Sequence, residues 1–114
     1  MSFQGKVAVV TGGALGIGQT LVKQFAKAGA KVAFIDHQAE AGRKTAQEIN
    51  EAGGEALFYE GDIGHRFVLE VFANEVVSRF GGVHYVIHNA MTSHGGIHSD
   101  CSYDEFMETL AVGV

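Results

Sequence analysis

The chain has 114 residues, with eight lysines and arginines against thirteen aspartates and glutamates, and a formal charge of −5. That length supports one domain with a core of its own, at the low end for an enzyme that also builds a substrate pocket. An acidic balance without a Lys/Arg cluster argues against nucleic acid or an anionic membrane as a partner. The lone Cys101 precludes an internal disulfide, the N-terminus lacks an apolar signal segment and no apolar run approaches the length of a membrane span, so a cytoplasmic location is expected.

The first predicted element is a strand at residues 7–10, where four consecutive apolar residues, three of them valine, suit a strand covered on both faces. Glycines at 12, 13, 16 and 18 follow, and residues 16–29 read as a helix with Ile17, Leu21, Phe25 and Ala28 as its apolar stripe. A glycine turn that feeds a helix N-terminus leaves N–H groups uncovered and favours a phosphate, so the expected ligand is a nucleotide. The bland alternative is a glycine-rich loop with no ligand. Gly13 to Thr20 comes close to the phosphate loop of nucleoside triphosphatases, but Gln19 stands where that loop needs a lysine. Thr-Gly-x-x-x-Gly-Ile-Gly over Thr11 to Gly18 instead resembles the cofactor turn of the short-chain dehydrogenase/reductase family. The resemblance implies cofactor contact at Gly12, Ala14, Leu15, Gly16, Ile17 and Gly18.

The second strand, residues 31–36, ends in Asp36, 18 residues beyond Gly18. In a dinucleotide fold an acid there accepts hydrogen bonds from the adenosine ribose hydroxyls and repels a 2′-phosphate, which favours NAD over NADP. Neither Leu15 nor His37, positions that in the family often carry a cation for that phosphate, is lysine or arginine, although a histidine can be partly charged near neutrality. The structural alternative for Asp36 is a capping or turn residue. Residues 38–52 read as a solvent-facing helix and residues 55–60 as a third strand. Asp62 and Ile63 match the pair that in the family contacts adenine, while Asp62 also suits a cap for a helix starting near His65. Leu69, Phe72, Ala73, Val76 and Phe80 mark that third helix, and a fourth strand follows at 83–88. Strictly alternating strands and helices indicate an α/β fold, a doubly wound Rossmann-type parallel sheet with strand order 3-2-1-4.

Beyond strand four the pattern departs from the family. His88-Asn89-Ala90-Met91 stands where the family usually reads Asn-Asn-Ala-Gly; cofactor contact carries over to Asn89 and Ala90, while His88 can replace an amide as a hydrogen-bonding group and Met91 adds bulk. His94, His98, Asp100 and Cys101 suggest a metal site, but the flanking glycines argue against the helix that would align them, and no metal is expected. Ser102 and Glu105 form a capping box for a last helix. Gly113 occupies the family's active-site asparagine position, and no Tyr-x-x-x-Lys pair occurs: Tyr59, Tyr85 and Tyr103 are followed four positions on by Ile63, Asn89 and Met107. No catalytic residue is therefore assigned. The reading that follows is a single NAD(P)-binding domain over residues 1–114, truncated before the catalytic half. Its longer parent would reversibly oxidise an alcohol to a ketone with NAD, act on a small-molecule substrate and form a homo-oligomer. One alternative is a non-catalytic nucleotide-binding module that acts through a partner or through oligomerisation, for example by dimerising over its open strand edge, a reading to which Met91 and Gly113 lend support. Another is a relative of the 3-oxoacyl-acyl-carrier-protein reductases, against which Asp36 speaks because reductive biosynthesis commonly uses NADP.

Overall fold

A computed structural model describes residues 3–12, 16–62 and 65–88. The apolar run before the glycine turn becomes β1 (Val7–Thr11), buried at all five positions. It pairs in parallel with β2 (Lys31–Asp36) on one side and β4 (Tyr85–His88) on the other, and β3 (Glu55–Glu60) lies parallel beyond β2. The strand order β3-β2-β1-β4 is the one expected from the sequence. Three helices connect these strands: α1 (Gly16–Lys27), α2 (Ala39–Glu51) and α3 (Arg66–Phe80).

Successive side chains leave a strand on opposite faces, and the core divides accordingly. Val7, Val9, Ala33, Ile35 and Leu57 pack with Leu69, Phe72, Ala73 and Val76 of α3. Ala8, Val10, Val32, Phe34 and Ala56 pack on the other face with Val22 of α1 and Ile49 of α2. Both faces of the sheet are thus covered, which explains why its strands read as continuous apolar runs rather than alternating ones. Phe34 and Phe72 are fully buried, one on each face. Each such burial stabilises by about 1.5–3 kcal/mol, so neither face can be stripped cheaply.

The helix stripes agree with the sequence reading in α3 and differ in α1. Leu69, Phe72, Ala73 and Val76 are buried as expected. In α1 the buried residues are Gly18 and Val22, whereas Ile17 is 74% exposed. The stripe is turned by one residue because a glycine, not the isoleucine, seats the helix start against the sheet. On α2, Gly42 and Thr45 join Ile49 as buried residues. Beta-strand pairing in β4 begins at Tyr85 rather than at 83, because the preceding His84 is engaged with Val7: its N–H donates to the Val7 carbonyl and its Nδ1 accepts the Val7 N–H, both at 2.9 Å. Among the described residues, no helix is long and apolar enough to cross a membrane.

Candidate functional site

The strands run in register, so Thr11, Asp36, Glu60 and His88 all end at one edge of the sheet. Along that edge the strand order reverses between β1 and β4. In open parallel sheets the crevice outside such a switch point is where ligands bind.

Thr11 closes β1 with no exposure, its Oγ1 lying 3.2 Å from Nδ1 of His88. Gly12 then donates its N–H to the Ile35 carbonyl at 2.7 Å, one residue beyond the last ladder pair, before a φ of +78° turns the chain away from the sheet. Gly16 re-enters at φ +63° to start α1, and a Cβ built there would meet nothing within 4 Å. These two left-handed positions are where glycine is needed. The first turn of α1 carries no acidic residue, so no carboxylate of that turn opposes the positive end of the helix dipole. Gln19, which stands in place of the triphosphatase lysine, donates from Nε2 to Thr45 Oγ1 at 3.2 Å and ties α1 to α2. Its side chain is directed to the neighbouring helix.

Asp36 follows Ile35, and its carbonyl accepts the Gly61 N–H at 3.0 Å, which brings the end of β3 and Asp62 alongside. One carboxylate oxygen of Asp36 accepts the Gln38 N–H at 3.0 Å, a side-chain turn that orients the acid. The turn role weighed for Asp36 is therefore realised, and it leaves the acid at the strand end. The Asp36 side chain is only 10% exposed, while His37 beside it is 77% exposed with Nδ1 3.4 Å from the same oxygen. These contacts had no signal in the spacing; they arise from the backbone turn. Asp62 does not serve as the cap of α3: that position is His65, which makes no side-chain cap hydrogen bond. The His65 N–H donates to the Asp62 carbonyl at 3.2 Å, and the Asp62 carboxylate lies 3.7 Å from His65 Nε2. Burial pushes the His88 ring below its ordinary titration range.

Gly12, Gly16, Ile17, Gly18, Asp36 and Asp62 are thus placed along the carboxyl edge of β1, β2 and β3 or at the start of α1. Ala14, Leu15, Ile63, Asn89 and Ala90 lie outside the described residues, as do Met91, the His94–Cys101 loop, the capping box and Gly113. Among the described residues, no group of three or more His, Cys, Asp or Glu is arranged to hold a metal. A cleft lined by Lys23, Ala26, Ile49 and Gly53 sits between the ends of α1 and α2, beside the start of β3. It opens at the opposite end of the sheet from these residues.

Known proteins match along the whole of this framework. The family profile described as short chain dehydrogenase matches residues 6–114. An uncharacterized oxidoreductase of Thermotoga maritima is 38% identical over 115 residues, covering 100% of this chain and 45% of that protein. The structure of a 7α-hydroxysteroid dehydrogenase complexed with NADH and 7-oxo glycochenodeoxycholic acid superposes with a TM-score of 0.78 at 31% identity, over 98% of this chain and 42% of that one. A metagenomic short-chain oxidoreductase in complex with NADP gives a TM-score of 0.75 at 30% identity, over 99% of this chain and 51% of that one. The chain spans about half or less of the length of each. A match that runs from the start of β1 through residue 114, on a sheet with this strand order, makes the chain a member of the short-chain dehydrogenase family.

Proposed function

We propose that the chain is the NAD-binding portion of an oxidoreductase that reversibly converts an alcohol and a ketone of small-molecule size. The observation that carries this reading is the open start of α1. Gly12 and Gly16 turn the backbone through left-handed conformations, no side chain among the described residues fills the space over Gly16, and no carboxylate occupies the first helical turn. A pyrophosphate fits such a cradle, held by backbone N–H groups and the helix dipole. In this reading Gly12, Ala14, Leu15, Gly16, Ile17 and Gly18 surround the phosphates, Asp36 accepts the adenosine ribose hydroxyls, Asp62 and Ile63 contact the adenine, and Asn89 and Ala90 pass the second ribose. The bound nicotinamide would supply the hydride chemistry; the residues described here bind and orient it.

The preference for NAD over NADP rests on Asp36. Its carboxylate is oriented by the Gln38 N–H at the end of β2, where an acid accepts two ribose hydroxyls and repels a 2′-phosphate. Titration calorimetry of the purified chain with each dinucleotide at pH 8 tests both parts. NAD should bind at least about tenfold more tightly than NADP, a difference of roughly 1.4 kcal/mol. Asp36→Ala should erase most of that gap, and Gly16→Val should weaken both ligands while leaving the far-ultraviolet circular dichroism unchanged. A folded chain that binds neither dinucleotide would overturn the reading.

A further inference from the structure

We infer that Gln19 and Thr45 are positioning residues for the dinucleotide: their hydrogen bond holds the start of α1 at a set distance from Asp36. This role rests on the reading of the glycine turn and Asp36 as two ends of one cofactor site, and it adds no contact to the ligand. A ligand that meets both ends at once binds best where their separation is already set, because ordering a loose site on binding lowers affinity. The start of α1 is joined to β1 by a turn that begins and ends on glycine, at φ +78° and +63°. Glycine is the least restrained backbone, so the turn by itself does not set where the helix begins.

The buried residues of α1 are Gly18 and Val22, and apolar burial is non-directional: it selects the face of the helix that meets the sheet, not its exact place along it. A hydrogen bond is directional. The one that Gln19 Nε2 donates to Thr45 Oγ1 at 3.2 Å joins the first turn of α1 to the buried face of α2. On the same turn Thr20 Oγ1 donates to the Gly16 carbonyl at 3.3 Å, so Gly16 to Thr20 move as one unit. The other partner is tied to Asp36. Thr45 is 1% exposed and lies two turns along α2 from Gln38, the residue that precedes the helix. The Gln38 N–H donates to the Asp36 carboxylate, and the Gln38 carbonyl accepts the Gly42 N–H at 2.8 Å as the helix opens. A hydrogen-bonded helix is stiff over two turns, so contacts run unbroken from Gly16 through Gln19, Thr45 and Gln38 to Asp36. The amide of Gln19 also makes this tie without bringing a charge beside a phosphate. A second tie between the helices, Lys23 to Glu48 at 3.0 Å, is exposed and lies one turn further from Gly16.

The test is titration calorimetry of NAD at pH 8 with the unaltered chain, Gln19→Met, Thr45→Val, the two together, and Thr45→Ser. Lys23→Met and Asn50→Ala serve as comparisons, since they loosen the same pair of helices away from the turn. Gln19→Met and Thr45→Val keep the side-chain bulk and remove the bond, and each should raise the NAD dissociation constant about fivefold. Because both remove one bond, the double variant should bind within about twofold of the weaker single one. Thr45→Ser keeps the hydroxyl and should bind within about twofold of the unaltered chain, as should both comparison variants. In the ligand-free chain the Gly16 amide resonance should move in Thr45→Val, although Thr45 lies 26 residues beyond Gln19, and should return in Thr45→Ser. If NAD binds Gln19→Met as tightly as the unaltered chain, the positioning role is wrong and the cofactor reading stands. A loss in Asn50→Ala as large as in Gln19→Met would overturn it as well, since any loosening of α2 would then suffice. If the unaltered, folded chain binds no NAD, the cofactor reading and the positioning role fall together.

Discussion

Gly42 shows at the scale of one residue how this fold trades local propensity for packing. It lies in the interior of α2, where alanine would ordinarily stabilise the helix by up to about 1 kcal/mol. Here it is buried against the ring of Phe58, which in turn packs on Phe34 with centroids 5.2 Å apart. A Cβ at position 42 would overlap that ring. Overpacking of this kind costs typically about 1–3 kcal/mol, more than the helix gains. Gly42→Ala should therefore lower the urea denaturation midpoint by a net cost of roughly 1–2 kcal/mol, and Phe58→Leu in the same chain should recover much of it. A stabilised Gly42→Ala chain would mean that the ring moves aside freely. Gly16 poses the opposite case. Its Cβ position is open but its φ is +63°, so Gly16→Ala should cost about 1–2 kcal/mol through backbone strain alone. The two glycines look alike in the sequence and differ in what they protect.

At the scale of elements, side chains finish the sheet where its ladders stop. Asn50, near the end of α2, accepts the Ala56 N–H at 2.9 Å and donates to the Ala56 carbonyl at 3.3 Å, so a side-chain amide stands where another strand's peptide would pair. It closes the first part of the β3 edge, which would otherwise offer a template to another chain. Asn50→Ala removes both bonds and should cost about 1–3 kcal/mol, whereas Asn50→Asp keeps the acceptor and should fall between, in thermal or urea denaturation. His84 acts similarly across from Val7 through a ring nitrogen and a backbone N–H. His84→Leu should cost about 1–2 kcal/mol, since it strands the Val7 N–H at the entry to the fully buried central strand. These devices explain what could and could not be read from the sequence. The strands were legible because sheets covered on both faces leave unbroken apolar runs, and α3 was legible because its buried face is made of large apolar residues. The buried face of α1 was legible only in part: Phe25 packs on the core as expected, but Gly18 carries no hydrophobic signal and the exposed Ile17 carries a strong one. At the candidate site, the glycine turn and Asp36 stand out by type and spacing. The contacts of Asp36 with the Gln38 N–H and the His37 ring depend on the turn after β2, which no spacing rule encodes.

For the molecule as a whole, the joint between β1 and β4 makes stability depend on pH. β4 pairs with the rest of the described sheet through β1, and their last ladder pair carries the Thr11 to His88 side-chain contact at 3.2 Å. Burial there disfavours the charged imidazole, so the folded chain holds His88 below the ordinary value of 6.5. The sign follows from proton counting: as pH falls below 6.5, the unfolded chain binds a proton that the fold resists, and the unfolded state is favoured. The contribution of His88 to stability is therefore whole above 6.5 and is lost progressively as pH falls toward and through the lowered folded value. Glu48 acts with the same sign in a separate, more acid window, because the Lys23 ammonium 3.0 Å away holds its carboxyl below 4.5. Exposed and screened, that pair contributes little. Urea denaturation between about pH 7.5 and 5.5 should thus show stability falling with acidification, and His88→Asn, which keeps a polar partner for Thr11 without a titrating ring, should flatten that slope. Equal slopes in the two chains would place the acid sensitivity elsewhere. A flattened slope would show that the end of the sheet beside the proposed cofactor crevice is held by an uncharged histidine, so that acid loosens the β1–β4 joint.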